Sequence, residues 1–223
     1  IAIHTEDLKK VSQLFDKFLN SSNEISGSVY IPDEPKNKKF ELNKNQIFKF
    51  NDLKYEGSFL AFRLEGDKKS IEERKENLAK ELELNKLKTS TLDIHQSVLF
   101  WQKINNLELF ASTKNNVLRA VVPLANNEKL MKYLKNKYKY YIDWSGSLFW
   151  IEVADKDEKK IKEIKKFILK IDGYLTIIKR SENFSFDENL FTINENRLFI
   201  SRKIKESFDP KRIFNPGKMY REI

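Results

Sequence analysis

Lys139-Tyr140-Tyr141-Ile142-Asp143-Trp144-Ser145-Gly146-Ser147-Leu148-Phe149-Trp150-Ile151-Glu152-Val153 reads as two strands folded back across Trp144-Ser145-Gly146. The aromatic and β-branched runs on either side suit a half-buried pleated surface, and a glycine-bearing turn between them makes the pair antiparallel. Working outward, Val117 to Pro123 reads as a further strand and Glu128 to Lys135 as a helix. Downstream, Asp155 is placed to cap an amphipathic helix whose Ile161, Ile164, Phe167, Ile168 and Ile171 recur at helical spacing and which Gly173 ends. Tyr174 to Arg180 is the last strand. After a polar loop, Asn194 opens a helix with Ile200, Ile204 and Phe208 on one face.

The N-terminal half alternates in the same manner. Thr5 is a fair cap for a helix with Leu8, Val11, Leu14, Phe15 and Phe18 on one side. Gly27 to Ile31 is a short strand stopped by Pro32, and residues 33–56 receive no firm assignment. Phe59 to Leu64 alternates as a strand. Ser70 to Leu84 is a charged helix with a thin stripe at Ile71, Leu78 and Leu82, and Leu92 to Asn105 a helix carrying Val98, Phe100 and Trp101. No internal repeat recurs at a fixed period. The pattern predicts an α+β fold, an antiparallel sheet with helices packed on one face.

Composition narrows the function. A chain of 223 residues with 40 % hydrophobic content and 17 Phe is globular and long enough to bury a core. It has no cysteine, which excludes disulfides, thiolate metal sites and a cysteine nucleophile. No run approaches the ~20 apolar residues of a membrane span, and no secretory leader pattern is present. The expected setting is the cytoplasm, including the cytoplasmic face of the inner membrane. The net charge of +9 raises nucleic acid as a partner. Only eight of 42 basic residues are Arg, however, and the lysines alternate with Glu along helices, as from Lys156 to Lys166. Such a mixed-sign surface lacks the single-sign stripe that tracks phosphates, so no nucleic acid is expected.

The last residues hold a second pattern. Ser207-Phe208-Asp209-Pro210-Lys211-Arg212-Ile213-Phe214-Asn215-Pro216-Gly217-Lys218 places two forced turns close together, at Asp209-Pro210 and at Asn215-Pro216-Gly217. The order F-D-P-x-x-I-F-N-P-G-K resembles the C-terminal signature of the FAD-linked oxidases of the vanillyl-alcohol-oxidase-type flavin fold. Upstream, Ile142-Asp143-Trp144-Ser145-Gly146-Ser147-Leu148-Phe149-Trp150 is similar to the D-W-G-G-x-L-x-W stretch of one branch, the E subunit of bacterial glycolate oxidase, with Ser145 where that branch has glycine. Gly173-Tyr174-Leu175-Thr176 resembles the strand that follows in that subunit.

The resemblance implies a ferredoxin-like cap, or substrate, domain over residues 1–208. It also implies a tail over 209–223 returning to an FAD-binding domain absent from this chain. The chain begins at Ile1, which agrees with a fragment of a longer protein. FAD would be held mainly by the missing domain. The implied partners are a catalytic flavoprotein subunit and an iron–sulfur subunit, which together oxidise glycolate to glyoxylate. This chain alone would be inactive. A different hydroxy-acid or alcohol substrate in the same superfamily, or a non-catalytic protein-interaction module, are the alternatives.

Candidate groups are few. With six glycines, the chain cannot build a glycine-rich pyrophosphate cradle, and no H-E-x-x-H or G-x-S-x-G motif occurs. His4 and His95 stand alone, far from the histidine-rich metal motif of the catalytic D subunit, so no metal is expected and no catalytic residue is assigned. Arginine is rare here, yet Arg63, Arg119 and Arg180 all fall in predicted strands. A guanidinium fork binds carboxylate in two hydrogen bonds, so these three are the candidate substrate-binding residues. Cross-strand ion pairs with Glu65 or Glu152 are the structural alternative. Trp144, Asn215 and Lys218 are the candidate flavin contacts, with core or turn packing the favoured structural alternative for Trp144 and for Trp150. Ile213, Phe214 and Met219 require an apolar neighbour.

Overall fold

The computed structural model of the chain describes residues 1–33, 57–155, 157–184, 189–218 and 220. The N-terminal half runs β1 (Ala2–His4), α1 (Leu8–Asn20), β2 (Gly27–Ile31), β3 (Phe59–Arg63), α2 (Lys68–Glu81) and β4 (Thr89–Ser90). A connecting helix, α3 (Ile94–Asn105), follows. The same order then returns as β5 (Asn116–Val121), α4 (Asn127–Leu134), β6 (Lys139–Asp143), β7 (Leu148–Val153), α5 (Glu158–Lys170) and β8 (Tyr174–Lys179). Last comes α6 (Glu195–Phe208), which leads into the tail.

The strands form one eight-stranded sheet in the order β4-β1-β3-β2-β6-β7-β5-β8. Every pairing is antiparallel. The first half lies in the order β4-β1-β3-β2 and the second in the order β8-β5-β7-β6, so each half is the same strand-helix-strand-strand-helix-strand unit. They meet edge to edge at β2 and β6, through Tyr30 and Ile142. The duplication is structural and leaves no fixed period in the sequence. Residues 32–58 separate β2 from β3, whereas residues 144–147 suffice between β6 and β7, and loops so unequal erase any fixed period. Residues 34–56, to which the sequence reading assigns nothing, lie outside the described residues.

Because side chains alternate along a strand, each strand serves two cores. On one face Ile3, Tyr30, Leu60, Phe62, Leu118, Ile142, Phe149 and Ile151 meet the apolar stripes of α1, α2, α4 and α5 in one continuous cluster. On the other, Ala2, Val29, Phe59 and Ala61 meet Phe100, Trp101 and Ile104 of α3. The α+β fold with an antiparallel sheet is as expected. The one-face arrangement describes α1, α2, α4 and α5, and α3 adds a helix on the opposite face.

Local chemistry explains the helix ends. α1 buries all five expected residues, Leu8, Val11, Leu14, Phe15 and Phe18. Its cap is Asp7, not Thr5: the Asp7 carboxylate accepts from Lys9 N (3.0 Å) and Lys10 N (3.2 Å), while the Thr5 hydroxyl accepts from Asp7 N. Asp93 begins α3 with a reciprocal capping box to Gln96. Asp155 does not cap α5. It lies before the helix, where Asn183 donates to its carboxylate at 2.6 Å. At the end of α5 the left-handed residue is Asp172 (φ 58°), and Gly173 is needed for space instead: a Cβ there would lie 2.7 Å from Val122 Cγ1 and 2.9 Å from the Val121 carbonyl.

Candidate functional site

The open face of the second half is built from two rows across the strands. In one row Tyr141 faces Trp150, Trp150 faces Arg119 and Arg119 faces Thr176. In the next, Asp143, Leu148, Val121 and Tyr174 stand in line. The first half shows what this position otherwise holds. There the row equivalent to Tyr141–Trp150–Arg119–Thr176 is Val29–Ala61–Ala2–Ser90. Two alanines let α3 settle onto the sheet in the first half, and the matching places in the second hold tryptophan and arginine. Residues 107–115 cover the Tyr141 end of the first of these rows, where the Tyr141 hydroxyl also donates to the Ile104 carbonyl of α3 at 3.3 Å. Phe110 stacks on Tyr141 at 5.7 Å, and Thr113 and Asn115 donate to the Glu152 carboxylate. Trp150, Arg119 and Thr176 remain half-buried at the surface.

The turn after β6 aims a side chain across this face. Trp144, Ser145 and Gly146 all have positive φ (49°, 49° and 92°), a left-handed run that costs about 1–2 kcal/mol for each non-glycine residue. Three contacts hold it. The Asp143 carboxylate accepts from Trp144 N at 2.7 Å, Ser145 Oγ meets Ser28 Oγ at 3.0 Å, and a Cβ on Gly146 would strike Asn127 and Phe15. Serine at 145 thus keeps the left-handed turn that glycine would adopt, helped by its bond to β2. The Trp144 ring, 59 % exposed, lies with the Arg119 guanidinium 5.0 Å from its centroid. That stacking occupies one face of the guanidinium and leaves its edge of N–H donors free, since Arg119 makes no hydrogen bond or ion pair with a described residue. Beside it, Trp150 Nε1 is buried without a partner among the described residues. Burial raises the Asp143 carboxyl above its ordinary pKa, opposed in part by the Trp144 amide.

The C-terminal segment reaches the same face from the β8 edge. Phe191 bridges to Thr176 and rests edge-on to Tyr220 at 6.0 Å. Asn194 caps α6 by accepting from Arg197 N at 2.9 Å, and this first turn lays the Arg197 guanidinium 4.3 Å from the centroid of the Tyr174 ring. Beyond α6, Asp209 ties the tail into a knot. Its carboxylate takes the Lys205 ammonium at 2.7 Å and the Ile213 and Phe214 amides at 2.9 Å each. The hydrogen bond from Lys205, then those from the two amides, hold the Asp209 carboxyl down to about 2. α6 buries none of its residues; Phe208 is 85 % and Phe214 69 % exposed.

The expected site residues do not converge. Arg63 ends β3 on the same sheet face as Arg119 but four strands away, roughly 19 Å at the usual strand spacing. It is engaged already, with Glu65 at 3.2 Å, Ser26 Oγ at 3.1 Å and the Trp101 ring at 5.1 Å. Arg180 lies one residue past β8, exposed, and not within a strand as expected. Of the proposed flavin contacts, Trp144 stands on the open face. Asn215 and Lys218 sit in the exposed tail turn, linked by Lys218 N–H to the Asn215 carbonyl at 3.3 Å. Met219 lies outside the described residues. The sequence reading missed Arg197 and Tyr174. Arg197 carried one signal, its scarcity in a lysine-rich chain, but it lies on a helix and escaped the search among strands.

His4 meets Ser90 Oγ at 3.2 Å, and burial lowers its pKa; His95 is exposed on α3. Among the described residues no group of three or more His, Cys, Asp or Glu side chains is placed to hold a metal, and no helix is long and apolar enough to cross a membrane.

Residues 188–219 match the FAD linked oxidases, C-terminal domain. The matched stretch covers α6, Arg197 and the Asp209 knot, and it supports the FAD-linked oxidase resemblance read from the tail. The sheet lies outside it. No curated protein matches the chain. The side chains fit only part of an FAD. With six glycines there is no cradle for a pyrophosphate. The exposed rings of Trp144 and Tyr174 suit contact with a flat heterocycle.

Proposed function

We propose that this chain is the substrate-facing domain of an FAD-linked oxidoreductase acting on a small 2-hydroxy acid, most like the E subunit of glycolate oxidase. The observation that carries this reading is where the FAD-oxidase match falls: its segment includes Arg197, whose guanidinium lies on Tyr174, on the same sheet face as Arg119. FAD, held by another domain, would supply the hydride acceptor. This chain's own residues would orient the acid and exclude water. Arg119 would hold the substrate carboxylate with its free edge, Trp144 would fix the guanidinium plane, and the rings of the face would shield the reacting carbon.

The exposed apolar groups of α6 and the tail, Phe208, Ile213 and Phe214, fit a docking surface for the flavin domain, with Asn215 and Lys218 as polar contacts at its edge. A catalytic flavoprotein subunit and an iron–sulfur subunit complete the complex in this reading, on the cytoplasmic side of the membrane. The test is the visible spectrum of the natural polypeptide that carries this sequence, recorded before and after glycolate with and without partner subunits. Oxidised-flavin bands support the reading, and a colourless folded protein that takes up no FAD refutes it. Within the assembled complex, Arg119→Met should weaken substrate binding about tenfold to a hundredfold, the worth of a charged hydrogen-bonded pair. An unchanged KM would remove Arg119 from the site.

A further inference from the structure

Trp144 and Ser145 both hold left-handed backbone although neither is glycine. Against the same turn stands Asn127, the first residue of α4, fully buried and with no hydrogen-bond partner for its Nδ2 among the described residues. That nitrogen lies 2.7 Å from where a Cβ on Gly146 would stand, so its donors end at the turn. The Asn127 carbonyl oxygen is already engaged, accepting from Ser12 Oγ of α1 at 2.6 Å. A buried donor without an acceptor and a run of left-handed residues each raise the energy of the arrangement that holds them. Where such outliers meet beside an open binding face, they mark an element with a second arrangement near in energy. The bonds that hold the described arrangement are local. Ser145 Oγ meets Ser28 Oγ of β2 at 3.0 Å, and the Asp143 carboxylate accepts from Trp144 N at 2.7 Å. Glycine at 145 would have no hydroxyl for the first of these ties, so that latch belongs to the serine. Gly146 supplies the pivot, since it alone of the three residues changes the sign of φ without a side-chain penalty.

We infer that residues 144–146 are a gate with two positions. In the described position the Ser28–Ser145 pair is made and the Trp144 ring lies on the Arg119 guanidinium. In the other, a backbone carbonyl of the turn accepts from Asn127 Nδ2, the serine pair opens, and Trp144 leaves the guanidinium. The movement uncovers the face of Arg119 that the indole occupies. Only what the gate admits rests on the proposed function; the two positions themselves do not.

The test labels this chain with 5-fluorotryptophan and follows it by fluorine NMR relaxation dispersion, which reads exchange on the microsecond-to-millisecond scale. The chain has three tryptophans, and Trp144→Phe assigns the resonance of interest. Trp101, buried between α3 and the sheet, is the still reference. The expected result is exchange at Trp144 and none at Trp101. Ser28→Ala removes the latch and should raise the population of the second position about twofold to tenfold, the worth of one neutral hydrogen bond. Asn127→Leu is close in size but has no donor, and should abolish the exchange. Far-ultraviolet circular dichroism checks that each variant is folded; if Asn127→Leu is not, Ser28→Ala and Ser145→Ala, which both break the latch, decide the matter. A Trp144 resonance without dispersion in the parent and in Ser28→Ala overturns the gate. So does exchange that a folded Asn127→Leu leaves unchanged, or exchange shared equally by Trp101, which would be breathing of the whole fold. The flavin spectrum decides the proposed function independently of these resonances.

Discussion

Gly146→Ala tests the turn that carries Trp144. Two costs add at this position. The φ of 92° lies in the region that side chains avoid, which costs about 1–2 kcal/mol. The new Cβ would also lie 2.7 Å from Asn127 Nδ2, 2.8 Å from Phe15 Cδ2 and 2.9 Å from Phe15 Cγ. Neither neighbour can step aside easily, because Phe15 is fully buried and Asn127 accepts from Ser12 Oγ at 2.6 Å. Overpacking of this kind costs about 1–3 kcal/mol, so the whole destabilisation should be about 2–5 kcal/mol. Gly217→Ala separates the two costs, since φ there is also positive (69°) but nothing lies within 4 Å; it should cost about 1–2 kcal/mol. The assay is urea unfolding of both variants against the parent, analysed by linear extrapolation with slopes compared. If Gly146→Ala is no more destabilising than Gly217→Ala, the crowding under the turn is not what fixes it, and the account of how Trp144 is aimed fails.

Three further outcomes are expected. Asp209 has a folded pKa of about 2, below its unfolded value near 4, so its tie is intact above about pH 4 and is lost as pH falls toward 2; the protection of the Ile213 and Phe214 amides relative to their intrinsic exchange should fall across that interval and stay constant above it. Ala61→Leu should destabilise by about 1–3 kcal/mol by lifting α3 from β3, seen as a fall in the urea midpoint; a neutral result would mean that α3 does not rest on this alanine. Trp144→Ala, at an exposed ring whose stacking on arginine is worth about 0.5–1 kcal/mol, should change stability by no more than that while altering carboxylate binding; a larger loss in urea would make Trp144 a structural residue.

The helices were legible because their evidence is local. Leu8, Val11, Leu14, Phe15 and Phe18 recur over about three turns of one helix, and all five are buried as the spacing predicts. The hairpin at Trp144-Ser145-Gly146 was legible for the same reason. The alternation of elements also sufficed for an antiparallel α+β fold. What stayed hidden depends on register between distant strands. Nothing near Ala2 or Ala61 shows that they occupy the places held in the other half by Arg119 and Trp150, because that equivalence exists only once both units are folded. Arg63 and Arg119 looked alike as strand arginines, yet Arg63 is bound by its own neighbour Glu65. Arg197 was passed over because a helix terminus, not a strand, delivers it to the sheet. The tail pattern was specific enough to point to the FAD-linked oxidases, and the match over residues 188–219 agrees with it. The finer branch rests on short motifs in the hairpin, where fold and function select the same aromatic residues.

Ala2 and Ala61 give the duplicated fold a kind of asymmetry that the chain itself maintains. Each half offers the same place on the sheet, and the connector between them packs over the first, so part of the chain's own backbone stands where the second half leaves its face to solvent. A scaffold of this form can acquire a second binding surface by changing only the grip of one helix. Bulkier residues at two alanines would evict α3 and expose a bare face, while the aromatic and arginine row of the other half stayed untouched.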